Sequence, residues 1–201
     1  MSGPQPSAPT RSRIGRDEVF AAAEELVDQV GWDGLTMSSL ATKLGVKAPS
    51  LYHHVNGLDS LRAELQVRAM VDMGQAILEA SAGRSGAEGV RDQAHAQRRF
   101  ALNYPYRYEG MTRAAIDTER MRVAGRTSAE ASTRMVMSAG VGEEEAWDLV
   151  RALFAAHHGF VVLEISGFFP VDVDMDEVFE SVLDNSVRSV VAAAAAAGGA
   201  P

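Results

Sequence analysis

The stretch from Gly34 to Leu58 contains no acidic residue, and its side chains are of the kinds that bind polyanions. It carries two ammonium groups, Lys43 and Lys47, and two adjacent imidazoles, His53 and His54. Ammonium groups, imidazoles and hydroxyls suit phosphate oxygens and the edges of bases. The window therefore favours nucleic-acid binding, although an acid-free window of this length also arises by chance.

The net charge of −8 at first argues against a nucleic-acid partner, but the charge is unevenly distributed. Residues 71–201 hold 12 Lys and Arg against 19 Asp and Glu, whereas the first 70 residues hold 7 against 8. Because distribution matters more than the sum, the N-terminal part remains a candidate DNA-binding region. The absence of cysteine excludes disulfides and thiolate metal sites. With no signal peptide and no apolar run of spanning length, we expect a cytoplasmic protein without a membrane partner.

The apolar spacing within residues 36–55 (TMSSLATKLGVKAPSLYHHV) predicts two short helices joined by a tight turn. Thr36 is an N-cap candidate for a helix over Met37–Leu44, and Gly45 supplies the turn. A second helix over Lys47–Val55 would present its outer face to a major groove, as in a helix-turn-helix. That face would carry Lys47, Ala48, Ser50, Tyr52, His53 and His54. The alternative is a plain helical hairpin, which normally shows Glu/Lys pairs on its exposed side.

Helical spacing continues along the rest of the chain, and strand-like alternation appears nowhere over a useful length. The sequence predicts an all-α fold of about nine helices, with a three-helix helix-turn-helix head and a six-helix body. Besides the two short helices, the expected ranges are Arg16–Val30, Leu58–Ala80, Ala87–Asn103, Tyr106–Arg113, Ala115–Ala139, Glu143–Gly167 and a last helix that Asp174 caps and that ends near Ala197.

The predicted helix over Glu143–Gly167 is apolar nearly all round, so it must be covered on every side. In a chain of this size a partner subunit is a natural cover, and a strip of small residues would let a second helix approach closely. With the last helix it would form a four-helix dimer bundle. The expected homodimer interface comprises Ala152, Ala155, Gly159, Val162, Ser166, Phe179, Val182, Val187 and Val190. The alternative is a helix buried within one subunit.

The segment from Gly31 to Leu61 resembles the DNA-binding domain of TetR-type transcriptional regulators. The family pattern is met by Gly31, Leu35, Thr36, Leu40, Ala41, Leu44, Gly45, Val46, Leu51, Tyr52, His54 and Val55. The resemblance implies a homodimer that binds a palindromic operator and is released by a small molecule. By family position, DNA contacts fall on Thr36, Lys47, Ser50, Tyr52, His53 and His54, with Tyr52 and His54 mainly at phosphates.

Two departures from the family pattern concern phosphate contacts. Leu58 stands where the family often has a lysine, and Lys47 replaces the usual Ser or Thr cap. Arg11, Arg13 and Arg16 would supply further contacts as an arm in the minor groove. The alternative is a solvated basic tail.

Two later segments, FALNYPYRY (Phe100 to Tyr108) and HGFVVLEISGFF (His158 to Phe169), resemble one TetR ligand-domain type. Its signature is a Trp, three residues and His-Gly; here Phe154 replaces the Trp and His158-Gly159 is intact. The resemblance implies a pocket among the middle helices. Candidate lining residues are Met73, Ile77, Arg99, Tyr104, Met111, Met135, Trp147, Phe154 and His158. Their thioether and aromatic content suits an apolar effector.

The sequence lacks the common catalytic motifs, so we expect neither an enzyme nor a cofactor or metal. The adjacent His157 and His158 face different ways on a helix and do not form a chelating i, i+4 pair. The expected division is a disordered basic arm (1–15), a helix-turn-helix domain (16–60) and a ligand-binding and dimerisation domain (61–201). A ligand-independent architectural DNA-binding protein remains the alternative function.

Overall fold

A computed structural model describes residues 14–170 and 172–198, and these ranges contain nine α-helices and no strand. The helices are α1 (Arg16–Val30), α2 (Met37–Leu44), α3 (Ala48–Leu51), α4 (Leu58–Ala80), α5 (Gly86–Asn103), α6 (Pro105–Thr112), α7 (Thr118–Met137), α8 (Glu143–Ile165) and α9 (Met175–Gly198). The predicted all-α fold is confirmed. The predicted basic arm, with Arg11 and Arg13, lies outside the described residues except for its last two positions. Within the described ranges, no helix is long and apolar enough to cross a membrane.

The head consists of α1, α2, α3 and the beginning of α4, which share one apolar core. Glu18 reaches back to the main-chain N–H of Gly15 at 3.4 Å and so caps the start of α1. Gly31 ends that helix with a φ of 78°, a conformation that favours glycine. Arg16 is the first residue of α1, and its guanidinium lies 5.3 Å from the ring centre of Phe20.

The body consists of α4 to α9 around two further apolar clusters. One surrounds Phe100, Phe160 and Phe179, and the other surrounds Val136 and Leu153. Helix α4 serves both parts of the molecule, because its early residues join the head core and its later residues join the body core. The predicted domain border near residue 60 falls in the first turn of this continuous helix.

Several helix bounds differ from the prediction for identifiable reasons. Helix α3 ends at Leu51, not Val55, because the hydrogen bonding changes there from the α-helical pattern to a tighter turn. The N–H of His54 donates to the carbonyl of Leu51, three residues back, at 2.9 Å. Helix α7 begins at Thr118, not Ala115, because Asp117 caps it by accepting from the N–H of Arg120 at 3.0 Å. The capping role expected for Asp174 is confirmed, because its Oδ1 accepts from the main-chain N–H of Asp176 at 2.9 Å and of Glu177 at 3.2 Å.

The expected dimer interface needs one correction. Phe179 and Val190 are completely buried inside their own subunit, so neither contributes to an outer face. The small residues of α8 do face outward: Ala152, Ala155 and Gly159 are exposed, and so is Ser166 just past the helix end. Val162, Val182 and Val187 are half-buried.

Candidate functional site

The turn between α2 and α3 is built as a helix-turn-helix requires. The hydroxyl of Thr36 accepts from the N–H of Ser39 at 3.0 Å, and the Ser39 hydroxyl returns the contact to the N–H of Thr36 at 3.0 Å. This reciprocal pair fixes the start of α2. Gly45 ends α2 in the left-handed conformation with a φ of 65°, and the N–H of Val46 donates to the carbonyl of Ala41.

The outer face of this unit presents the residues expected to contact DNA. Lys47, Ser50, Tyr52 and His53 are exposed, and Tyr52 shows 56% of its surface although its neighbour Leu51 is buried. Thr36 is also exposed, with its hydroxyl engaged in the cap. Ala48 and His54 are half-buried. The structure therefore places all six recognition-face residues in one short segment, with the apolar side chains turned inward.

The two lysines of the acid-free segment differ in their surroundings. Lys43 lies 3.0 Å from the carboxylate of Glu25 on α1, so its charge is engaged within the head. Lys47 forms no ion pair with the described residues and is exposed at the start of α3. Leu58, which replaces the expected lysine, is half-buried and packs against the head core. Lys47 is thus the ammonium group that this segment offers to a polyanion.

Helix α6 fastens the body to the head. Arg107 donates from Nε to the two carboxylate oxygens of Asp28 on α1, at 2.9 and 3.0 Å. Arg113, just past the helix end, pairs with Asp33 at 2.7 and 2.8 Å. Between them the chain passes so close to Trp32 that a Cβ on Gly110 would lie 2.1 Å from its ring. Two ion pairs and one close packing contact therefore join this helix to the head.

Gln66 of α4 connects that helix to the same joint. Its side chain is 1% exposed, and its Nε2 donates to the carbonyl of Gly110 at 3.0 Å and of Ala114 at 3.3 Å. Its Oε1 accepts from the N–H of Ile116 at 3.0 Å. A buried amide with both ends engaged holds α4 and the end of α6 in a fixed relation.

A cavity of about 330 Å³ lies in the body between α4, α5, α7 and α8. Its wall is mainly apolar, with neutral polar groups from α5, α7 and α8 and one charged residue, Arg151. Such a volume and lining are typical of small-molecule sites. Helix α4, which runs from the cavity wall to the head core, connects the cavity physically with the recognition segment.

The structure brings four of the nine predicted pocket residues to this wall: Met73, Ile77, Trp147 and Phe154. The other five predicted residues do not line this cavity. Arg99 and Tyr104 are exposed, Met111 on α6 is buried in the body core, and Met135 packs against the cluster around Val136. His158 points away to Tyr108, while its neighbour His157 lines the cavity. Sequence reasoning missed Gln93, Gln97 and His157.

Burial changes the chemistry of two groups at or beside the cavity. It lowers the pKa of His157 to about 4, with a smaller contribution from nearby His95. It also raises the pKa of Tyr108 to about 12. Both groups are therefore uncharged near neutral pH, and they act there as hydrogen-bonding groups only.

Comparisons with known proteins agree with this architecture. Residues 19–64 match the family described as bacterial regulatory proteins, tetR family. Residues 90–186 match the tetracyclin repressor-like C-terminal domain. A curated HTH-type transcriptional regulator of Mycobacterium tuberculosis, itself uncharacterized, is 34% identical over 86% of this chain and 79% of its own length.

The chain belongs to the TetR family. As a TetR-family protein it is a DNA-binding transcriptional regulator, and its helix-turn-helix is the segment that the N-terminal family model covers. Among solved structures, a protein of unknown function from Rhodococcus sp. RHA1 shares this TetR-family fold. Its TM-score is 0.74 at 23% identity, over 90% of this chain and 96% of that chain.

A second structural neighbour of this TetR-family regulator was solved with a bound small molecule. It is a variant of TetR from Acinetobacter baumannii AYE in complex with minocycline. The TM-score is 0.60 at 22% identity, over 89% of this chain and 94% of that chain. At this identity the likeness concerns the fold alone.

Proposed function

We propose that this regulator is a repressor that binds a palindromic operator as a homodimer and is released when a small, largely apolar effector enters the cavity. The observation that carries the proposal is the cavity itself, because α4 forms part of its wall and also part of the head core. The minocycline complex of the structural neighbour supports a ligand site in this fold.

Release of DNA requires that the effector favour one of two arrangements of the head. Two connections are available for that effect: α4, which is continuous, and α6, which is held to α1 by the Arg107–Asp28 pair. An effector that displaces the cavity wall would shift the recognition segments of the two subunits relative to each other. Only a difference in affinity between the two arrangements produces this response.

The outer faces of α8 and α9 support the homodimer. Exposed small residues on α8 leave room for a second helix, and a Cβ on Gly159 would meet nothing within 4 Å. Large apolar side chains remain exposed beside them, among them Phe154 at 42%, Leu163 at 38% and, on α9, Val191 at 56%. A two-fold axis through this face would build a four-helix bundle and place the two heads on adjacent half-sites, about one helical turn apart.

The test is selection of bound duplexes from random DNA with the full chain, followed by binding measurements with uncharged apolar compounds. We expect one palindromic sequence to be enriched, and at least one compound to weaken binding to it. Enrichment of no sequence would instead indicate an architectural DNA-binding protein. Binding to a defined operator that no compound weakens would contradict effector release while leaving sequence-specific binding intact.

A further inference from the structure

Three deeply buried polar residues interrupt the apolar wall of the cavity. Gln93 and Gln97 lie one turn apart on α5, and His157 lies opposite on α8. Their exposures are 8%, 3% and 4%. Because burying a polar group costs free energy unless it is hydrogen-bonded, each of these side chains needs partners. Where those partners lie determines what the cavity offers to a ligand.

One N–H of each glutamine amide is already engaged within the protein. Nε2 of Gln93 donates to Oγ of Ser81 at 3.2 Å. Nε2 of Gln97 donates to the hydroxyl of Tyr108 at 2.9 Å. Each Nε2 keeps a second N–H that pairs with no described residue, and each residue also keeps its carbonyl oxygen Oε1, which only accepts hydrogen bonds.

The donor of His157 is engaged in the same way. Its Nε2 lies 2.8 Å from Oγ of Ser186 on α9. Oγ of Ser186 also lies 3.0 Å from the carbonyl of Val182, which only accepts; we therefore assign the hydroxyl proton to that carbonyl and the imidazole as the donor to Oγ. The ring is neutral near pH 7, and Nδ1 is then left with a lone pair.

The three remaining acceptor atoms face open space. None of them is hydrogen-bonded to the described residues. Among those residues, Nε of Arg62 is the only side-chain nitrogen or oxygen that is fully buried without a partner. The two Oε1 atoms and Nδ1 are thus accessible, and the open space that their residues line is the cavity.

The cavity wall carries little charge. Its described residues include no Asp, Glu or Lys, and its one permanent cation is Arg151. That guanidinium is exposed, pairs with Asp148 at 2.7 Å and lies near the ring of Trp147. A charged group deep in the cavity would therefore lose its hydration without gaining an opposite charge.

We propose that the cavity binds an uncharged, mainly apolar molecule with a hydrogen-bond donor, such as a phenol or another ring-based alcohol, whose hydroxyl donates to one of the acceptor atoms of Gln93, Gln97 and His157. This assignment rests on the proposed function, in which the cavity is the effector site. The donor requirement follows from the three acceptors, and the absence of charge follows from the wall.

The first test uses three probes of nearly equal shape on the unaltered full chain, with binding measured by calorimetry. Hydroxybiphenyl is neutral and donates, methoxybiphenyl is neutral and only accepts, and biphenylcarboxylate is an anion. We expect hydroxybiphenyl to bind at least about tenfold more tightly than either of the others, because a probe without a donor leaves buried acceptors unpaired. Equal or tighter binding of the ether or the carboxylate overturns the assignment, and so does failure of hydroxybiphenyl to bind.

The second test replaces one acceptor. Because hydroxybiphenyl donates one hydrogen bond, the preference for it over methoxybiphenyl should fall about fivefold in at least one of Gln93→Leu, Gln97→Leu and His157→Leu. Gln75→Leu, at an exposed glutamine on α4, should keep the preference. An unchanged preference in all three leucine variants at Gln93, Gln97 and His157 overturns the assignment. Operator affinity is measured separately with each probe. Selective binding of hydroxybiphenyl without operator release supports the proposed ligand chemistry and contradicts the proposed function. Operator release by a probe that does not donate supports the proposed function and contradicts the proposed ligand chemistry.

Discussion

The hydroxyl of Tyr108 on α6 lies 2.8 Å from Nδ1 of His158 on α8. Gln97, a cavity residue, donates to the same hydroxyl. The ring of His158 stacks on Phe154, another cavity residue, with 5.7 Å between ring centres and 4° between planes. Two routes therefore lead from the cavity wall to Tyr108, on the helix whose Arg107 pairs with Asp28 of the head.

Replacing this hydroxyl should separate effector binding from DNA release. Tyr108→Phe leaves the buried Gln97 amide and His158 ring without their shared partner, so we expect a loss of about 1–3 kcal/mol in the free energy of unfolding. Operator affinity without effector should stay close to that of the unaltered chain, and the effector should weaken it less. Tyr104→Phe, at an exposed tyrosine, is the control for denaturation and operator titration. Equal effects of the two substitutions would contradict this role.

The two ion pairs at the joint should differ in strength. The side chain of Arg107 is 18% exposed and that of its partner Asp28 30%, whereas Arg113 and Asp33 are 39% and 75% exposed. Arg107→Gln leaves a half-buried carboxylate without its partner and should cost about 1–3 kcal/mol. Arg113→Gln should cost below about 1 kcal/mol, because water screens an exposed pair. Urea denaturation of both variants checks this order, and the reverse order would be inconsistent with the geometry of the joint.

Stability should fall in mild acid because of His157. Its pKa is about 4 in the folded chain, below the ordinary value of 6.5. Between these values the unfolded chain binds a proton that the folded chain does not, so stability is full above pH 6.5 and is lost as the pH falls. From this group we expect a decrease of about 2 kcal/mol between pH 7 and pH 5. Denaturation of His157→Gln should show a correspondingly smaller decrease; an identical pH dependence would exclude His157 as the cause.

The small-residue face of α8 should be sensitive to a large charged side chain. Ala155→Arg places a guanidinium on the face proposed to meet a second subunit, so it should shift the chain from dimer to monomer at micromolar concentration. Thr127→Arg, at an exposed position on α7, should leave the dimer unchanged. Sedimentation velocity distinguishes the species. A stable dimer of the Ala155→Arg variant, or a monomer of the unaltered chain, would refute this interface.

Much of the head could be predicted from sequence because local rules determine it. The Thr36 cap and the Gly45 turn fix α2 within its predicted bounds, and the alternation of apolar and polar side chains gives the exposed face. The length of α3 could not be predicted in this way. Its end depends on the tighter hydrogen-bonded turn after Leu51, and the spacing of apolar residues does not predict that turn.

The cavity was harder to predict because it depends on how four helices pack. Met73 and Trp147 were identified as large apolar residues, but the same criterion also selected Met111, which is core. Gln93 and Gln97 had a usable signal, since two polar residues one turn apart interrupt an apolar helix face. Whether such a face borders a cavity or a neighbouring helix depends on tertiary packing.

The claim that the exposed face around α3 binds DNA is tested most directly by operator affinity of Lys47→Ala, measured by fluorescence anisotropy over a range of salt. We expect binding at least about fivefold weaker and a salt dependence reduced by roughly one counterion per lost phosphate contact. Arg126→Ala, which removes the same charge from α7, should bind like the unaltered chain. Equal affinity and equal salt dependence of all three proteins would contradict DNA binding through this face.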